Sequence, residues 1–232
     1  STEDIQVYVA SGRGFHAVVE DLAHILLLRE RGERIKIVVE EDNHYLLNLL
    51  KELVEPTDLQ TVPVHSWVLA NQMLVTTKSQ NGEAVNPEAI KVLQRFAAKY
   101  SASSSESETQ IFVSRRKSRK RQLGSNLTAA IESTAHDLGY TTILLEDLGI
   151  AQQIRLFANA RVVAGQHGAG LVNIAWSQSP ITVLEFFTPG NCNSAYHNMA
   201  ATLGHEYFAH SIETGARTDA TFSAITNFLK PS

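Results

Sequence analysis

The chain has 232 residues, 44% of them hydrophobic and 19% charged, a balance that builds an ordinary core and excludes a disordered or fibrous chain. A net charge of −4 argues against a broadly basic nucleic-acid-binding surface. The lone cysteine, Cys192, rules out an internal disulfide and fits a reducing compartment. No apolar run approaches the roughly 20 residues of a membrane helix. The first residues also lack the basic-then-apolar pattern of a signal peptide. A cytoplasmic location is therefore expected, peripheral to the membrane where an acceptor or partner brings it there.

Taken in order, the chain alternates strand and helix. Ile5 to Ala10 alternates apolar and polar residues and reads as a strand, and Ser11 to Gly14 as a turn. Phe15, Val18, Val19, Leu22, Ile25 and Leu26 then recur at helical spacing, predicting a helix that stops at Gly32. Ile35 to Val39 reads as a second strand, and Leu46 to Val54 as a second helix ended by Pro56. Thr61 to Val64 and Met73 to Val75 are further strand candidates. Asn86-Pro87 opens a helix running to about Tyr100, with proline in its first turn.

Ser101 to Glu108 carries only Ser, Ala and Glu and has nothing to build a core, so it reads as a linker. Beyond it the predicted order is strand Gln110 to Ser114, helix Leu127 to Leu138 with Gly139 as its stop, and strand Thr142 to Leu145. Helix Ile150 to Asn159, strand Arg161 to Ala164 and a helix from Gly168 follow. Strand Thr182 to Phe187, helix Ser194 to Leu203 and a last helix, Thr218 to Leu229, complete the series. That last helix sets Phe222, Ile225, Phe228 and Leu229 on one face. Regular βαβ alternation implies parallel sheets covered by helices. The expected fold is α/β: two Rossmann-like βαβ domains facing across a cleft, residues 1–100 and 110–232, joined by the linker 101–109.

Four constellations can carry chemistry. His16 and Glu20 lie one helical turn apart, away from the apolar stripe. They are either a solvated polar face or a carboxylate–imidazole pair able to take a proton from a substrate hydroxyl. His24 extends that stripe, but one helix rarely closes a metal shell, and no metal site is expected. The second constellation is the basic run Ser114 to Arg121. Arg115 and Arg116 stand where a strand ends, the place at which open α/β sheets bind ligands, and arginine forks onto phosphate. Lys117 to Arg121 reads as its solvated continuation.

The third constellation is Glu146-Asp147 at a strand end. Asp147 reads as a cap for the next helix, and Glu146 is left open. The fourth is the turn Gly165-Gln-His167-Gly168-Ala169-Gly170 with Asn173 beyond it. Small residues there let a ligand approach the backbone, and a helix N-terminus favours an anion. Packing of helix on strand explains the same glycines equally well. Glu185, a charge in an apolar strand, has to be paired or face a cleft.

The ordered set Ile111-Phe-Val-Ser-Arg-Arg116, Leu138-Gly-Tyr140, Leu145-Glu146, Gln153-Ile154, Phe157-Ala158, Ala160 to Asn173 and Thr182 to Phe186 resembles glycosyltransferase family 61. Phe15-His16 with Glu20 and Leu22 resembles that family's His-x-x-x-Glu/Asp segment, although Leu22-Ala23-His24 stands where members often carry Leu-Pro-Arg. The resemblance implies a GT-B-like domain pair that transfers sugar from a nucleotide-sugar donor to a saccharide acceptor, generally with inversion. By family analogy it also implies capsule, exopolysaccharide or lipopolysaccharide assembly. Within that reading Glu20 or His16 supplies the base. Arg115, Arg116, His167, Gly168, Ala169, Gly170 and Asn173 bind donor phosphate or nucleotide, and Glu146 or Glu185 holds donor hydroxyls. No cofactor is required, and the absence of Asp-x-Asp makes a metal-independent reaction the expectation.

Two rivals come from other classes. An esterase reading of His167-Gly-Ala-Gly needs a Gly-x-Ser-x-Gly elbow, and none is present. A non-catalytic sugar-nucleotide or polysaccharide-binding protein on the same scaffold would keep Arg115 and Arg116 yet tolerate replacement of Glu20 and His16.

Overall fold

Apolar runs such as Ile37-Val-Val39 and Val162-Val-Ala164 become strands buried on both faces, as parallel sheets require. The computed structural model describes residues 5–75, 85–101, 109–118, 125–188, 190, 192–212 and 218–230. It divides into two units, Ser1–Phe96 and Ala97–Ser232, each with its own parallel sheet. The expected linker falls largely outside the described residues, as do Arg119 to Arg121.

In the first unit, β1 (Gln6–Ala10), β2 (Ile35–Glu40), β3 (Leu59–Val62) and β4 (Met73–Leu74) pair in parallel in the order β3-β2-β1-β4. The helix expected from Phe15 does begin there, but it is a π-helix over Ala17–Leu22 before it continues as α1 (Ala23–Glu30). A π turn is rare and short, and such turns gather at functional sites. All six of its residues are buried, Glu20 and Asp21 included. Asp21 accepts hydrogen bonds from the Tyr8 hydroxyl at 2.9 Å and the Gly12 N–H at 2.5 Å. A Cβ on Gly12 would stand 2.6 Å from that carboxylate and 2.7 Å from the His16 backbone, so only glycine fits there. Asn43 starts α2 (His44–Leu53) by accepting from the Leu46 N–H at 3.5 Å, and it donates to the Gly12 carbonyl at 3.0 Å. α3 (Pro87–Ser101) closes this part of the chain and ties back through the Arg95–Glu30 ion pair at 2.6 Å.

In the second unit, β5 (Thr109–Val113), β6 (Thr141–Ile143), β7 (Ala160–Gln166), β8 (Thr182–Phe187) and β9 (Glu206–Ser211) are parallel in the order β6-β5-β7-β8-β9. β9 has no counterpart among the strands expected from sequence. α4 (Ser125–Asp137), α5 (Ile150–Ala158), α6 (Ala195–Leu203) and α7 (Thr218–Leu229) accompany the sheet. One face packs Phe112, Val162, Leu184 and Phe186 against Ile131, Ile225 and Leu229, each buried aliphatic side chain being worth about 1.5–3 kcal/mol. Phe228 joins that face, whereas the Phe222 side chain lies outside the described residues. The Tyr140 hydroxyl donates to the Leu229 carbonyl at 2.8 Å, and burial pushes its pKa up to about 12.

The helix expected from Gly168 is a three-ten run, Ala169–Trp176, buried throughout from Leu171 onward. Asn173 shows why: its amide donates to the Gly170 carbonyl at 3.0 Å and its oxygen accepts the Trp176 indole N–H at 2.9 Å. Links three residues away in both directions suit three residues per turn.

Candidate active site

The second sheet changes direction of growth between β5 and β7, and the crevice outside the carboxyl ends of two such strands is where open α/β sheets take ligands. A recess of about 110 Å³ opens there, lined by Val113, Ser114, Arg115 and Ser118 after β5, Leu145 and Glu146 after β6, and Gln166, Ala169 and Gly170 after β7. Arg115, Glu146, Ala169 and Gly170 were expected from sequence. Ser114, Ser118 and Gln166 were not, because nothing in their local pattern sets them apart from turn and strand residues.

Arg115 is fixed on two sides. Its Nη1 donates to the His167 carbonyl and its Nη2 to the Ser118 hydroxyl at 3.1 Å. The guanidinium lies over Gly168, where any Cβ would overlap it. The close approach that this glycine permits is therefore the arginine's. Arg116 goes elsewhere: it faces Glu132 on α4 at 3.6 Å, and Glu132 also accepts from the Ser114 hydroxyl. Arg116 does not line the recess. Lys117 pairs with Asp147, both half exposed. Asp147 is consequently not the helix cap that its position suggested. Gly149 starts α5, its N–H bonded to the Gln152 side chain at 2.9 Å.

His167 sits behind the recess, buried. Its Nε2 accepts from the Asn193 amide at 3.1 Å, which leaves the proton on Nδ1 to be donated to Glu185 Oε1 at 2.5 Å. Glu185 is fully buried, and its other oxygen takes the Tyr207 hydroxyl at 2.5 Å. Burial and the adjacent Glu185 carboxylate drive the Tyr207 pKa up, so it acts as a donor. The imidazole stacks on Phe187 at 5.2 Å and meets Tyr196 edge-on at 5.6 Å. Asn173 is spent bracketing the three-ten run. Thus of the residues expected at the donor, the structure gathers Arg115, Glu146, Ala169 and Gly170 around one opening. It sets His167, Gly168 and Asn173 in the supporting wall, seals Glu185 behind it, and turns Arg116 away. Asn193 and Tyr196, 26 and 29 residues beyond His167, and Tyr207, 22 beyond Glu185, escaped the sequence reading because they meet these partners only through the fold.

In the first unit, His16 and Glu20 form a pair, Nδ1 to Oε1 at 3.0 Å, on the segment after the carboxyl end of β1. His16 is partly open to solvent, with Glu20 buried beneath it. The wholly solvated polar face is therefore not what forms. His24, buried, turns its Nδ1 to the Glu20 carbonyl and not to a metal shell. Among the described residues no three His, Cys, Asp or Glu cluster in a way that could hold a metal ion, and no helix is long and apolar enough to cross a membrane.

Two parallel sheets accompanied by helices, the second with an arginine and a glycine-rich turn at its switch point, define an α/β protein. The Glycosyltransferase 61 family model matches residues 15–184, well over half of the chain. The chain belongs to that family, and it is a glycosyltransferase. No curated protein matches it. Among solved structures it is similar to the bacterial iron-containing dodecameric glycosyltransferase TibC of enterotoxigenic E. coli H10407, at 12% identity and TM-score 0.43, over 97% of this chain and 76% of that one. It is likewise similar to the dodecameric iron-containing heptosyltransferase TibC in complex with ADP-D-beta-D-heptose, at 11% identity and TM-score 0.44, with the same coverage.

Proposed function

We propose that the chain transfers a sugar from a nucleotide-sugar donor to a saccharide acceptor with inversion and without a metal, in polysaccharide assembly. In this reading the two units form a GT-B-like pair with the donor on the second. The observation that carries the proposal is Arg115, anchored at the mouth of a switch-point recess that also holds the start of the three-ten run and the Glu146 carboxylate. The recess is smaller than the roughly 300–1,000 Å³ of a whole-ligand pocket, so it suits a diphosphate while sugar and base extend outside.

The step follows from charge. The acceptor oxygen forms a bond to the anomeric carbon as the carbon–oxygen bond to the diphosphate breaks, and the bonding pair leaves with the phosphate. Arg115 and the backbone dipoles at Ala169 and Gly170 stabilise that growing negative charge. The acceptor proton passes to His16, the accessible member of its pair, while Glu20 orients the ring and stabilises the imidazolium. Glu146 is left for donor hydroxyls, and the buried Glu185 serves by holding His167.

Calorimetric titration of UDP, GDP, CDP, ADP and CMP, with and without Mn²⁺, tests the reading. One nucleoside diphosphate is expected to bind wild type without metal and to bind Arg115→Ala about tenfold to hundredfold more weakly. Absence of binding under every condition overturns the donor site.

A further inference from the structure

Arg115 depends on a turn that is itself gripped from α6. The His167 carbonyl receives Arg115 Nη1, and the next carbonyl, that of Gly168, receives the Tyr196 hydroxyl at 2.7 Å. The His167 N–H is held by the Phe186 carbonyl at 2.7 Å. Asn193, just ahead of α6, donates to His167 Nε2 at 3.1 Å and accepts from the Ala195 N–H at 3.1 Å. The Tyr196 ring packs edge-on against the His167 ring. The turn under the guanidinium is thus clamped between β8 and the first turn of α6.

We infer that Tyr196, assisted by Asn193, is a positioning residue: it fixes the Gly168 carbonyl, one peptide beyond the His167 carbonyl that anchors Arg115, and so aims Arg115 at the anionic part of the donor. Tyr196 does not line the recess, so its effect on a ligand passes through Arg115. With a Phe at 196 the ring packing stays and the Gly168 carbonyl loses a buried donor. That carbonyl keeps the Leu171 N–H at 3.0 Å, but the Gly168–Ala169 peptide is held by one donor fewer, and through the Gly168 Cα the anchoring His167 carbonyl loses part of its alignment. The inference rests on the donor reading of the recess and adds to it the residues that set the arginine's geometry.

A double-mutant cycle read by calorimetry with the nucleoside diphosphate, and in parallel with inorganic pyrophosphate, tests this. Tyr196→Phe in the wild-type background is expected to weaken binding about fivefold, the size carried by one neutral hydrogen bond. In the Arg115→Ala background the same change is expected to alter the residual affinity by less than about 1.5-fold, since the two residues act as one unit. Asn193→Ala, at an exposed position, is expected to show the same dependence and serves if Tyr196→Phe folds poorly. Equal losses in both backgrounds, or no loss in either, overturn the positioning role while leaving the donor site standing. Failure of wild type to bind either anion overturns the donor reading and this inference together.

Discussion

The Arg115 guanidinium occupies the space in which a Gly168 side chain would begin. A strand-end arginine and a turn glycine 53 positions later are thereby one device, and neither works without the other. Gly168→Ala is expected to displace Arg115 and to weaken diphosphate binding about tenfold to hundredfold, close to the loss in Arg115→Ala. Parallel calorimetry on the two variants checks it, with thermal melting to show that the fold survives.

The chain Tyr207–Glu185–His167–Asn193 buries a carboxylate at no open surface. Removing one donor from that carboxylate leaves part of a buried charge unsatisfied. Tyr207→Phe is expected to lower stability by about 2 kcal/mol. Urea unfolding followed by far-UV circular dichroism measures it, and an unchanged midpoint would mean that water replaces the hydroxyl.

His16 and Glu20 divide the proposed base between an exposed ring and a buried carboxylate. His16→Ala is expected to reduce kcat about 10²–10⁴-fold with donor affinity unchanged. Glu20→Gln should cause a smaller fall. Single-turnover rates beside donor calorimetry separate the two effects. A loss of donor binding in either variant would reassign the pair to the donor.

His205 gives a stability change with a definite sign. Burial lowers its pKa, and the Ile174 carbonyl offsets only part of that. Its Nδ1 accepts from the Ile181 N–H at 3.4 Å, so protonation would set two donors face to face. The unfolded chain takes up this proton near pH 6.5, before the folded chain does. His205 therefore contributes nothing adverse above about pH 6.5. Stability falls as pH drops from there toward the lowered folded value. Melting temperatures from pH 7.5 to 5 are expected to decline less steeply in His205→Gln than in wild type.

Much of the architecture was legible because local composition and burial agree. Strands enclosed on both faces are apolar runs, and turn residues mark their ends. β9 was not legible: Glu206-Tyr-Phe-Ala-His-Ser211 is an edge strand, largely exposed, with no apolar run to announce it. Helix type was also beyond reach. The apolar spacing after Gly14 and Gly168 fits any helix, and the π and three-ten forms depend on contacts such as Asp21 with Gly12 and Asn173 with Trp176.

At the site, residue order alone established which chemistry was on offer: arginines at a strand end, a glycine-rich turn, and a His–Glu pair one turn apart. Their division of labour came from the folded chain. Arg115 and Arg116 are adjacent and chemically identical, yet one is bent over Gly168 into the recess and the other is drawn to Glu132. Glu146 follows an apolar strand and Glu185 sits within one, yet the first lines the opening and the second is sealed by His167 and Tyr207. A side chain's chemistry is set by its residue type, but its exposure and partners depend on groups distant along the chain, and only the fold brings these within hydrogen-bonding range.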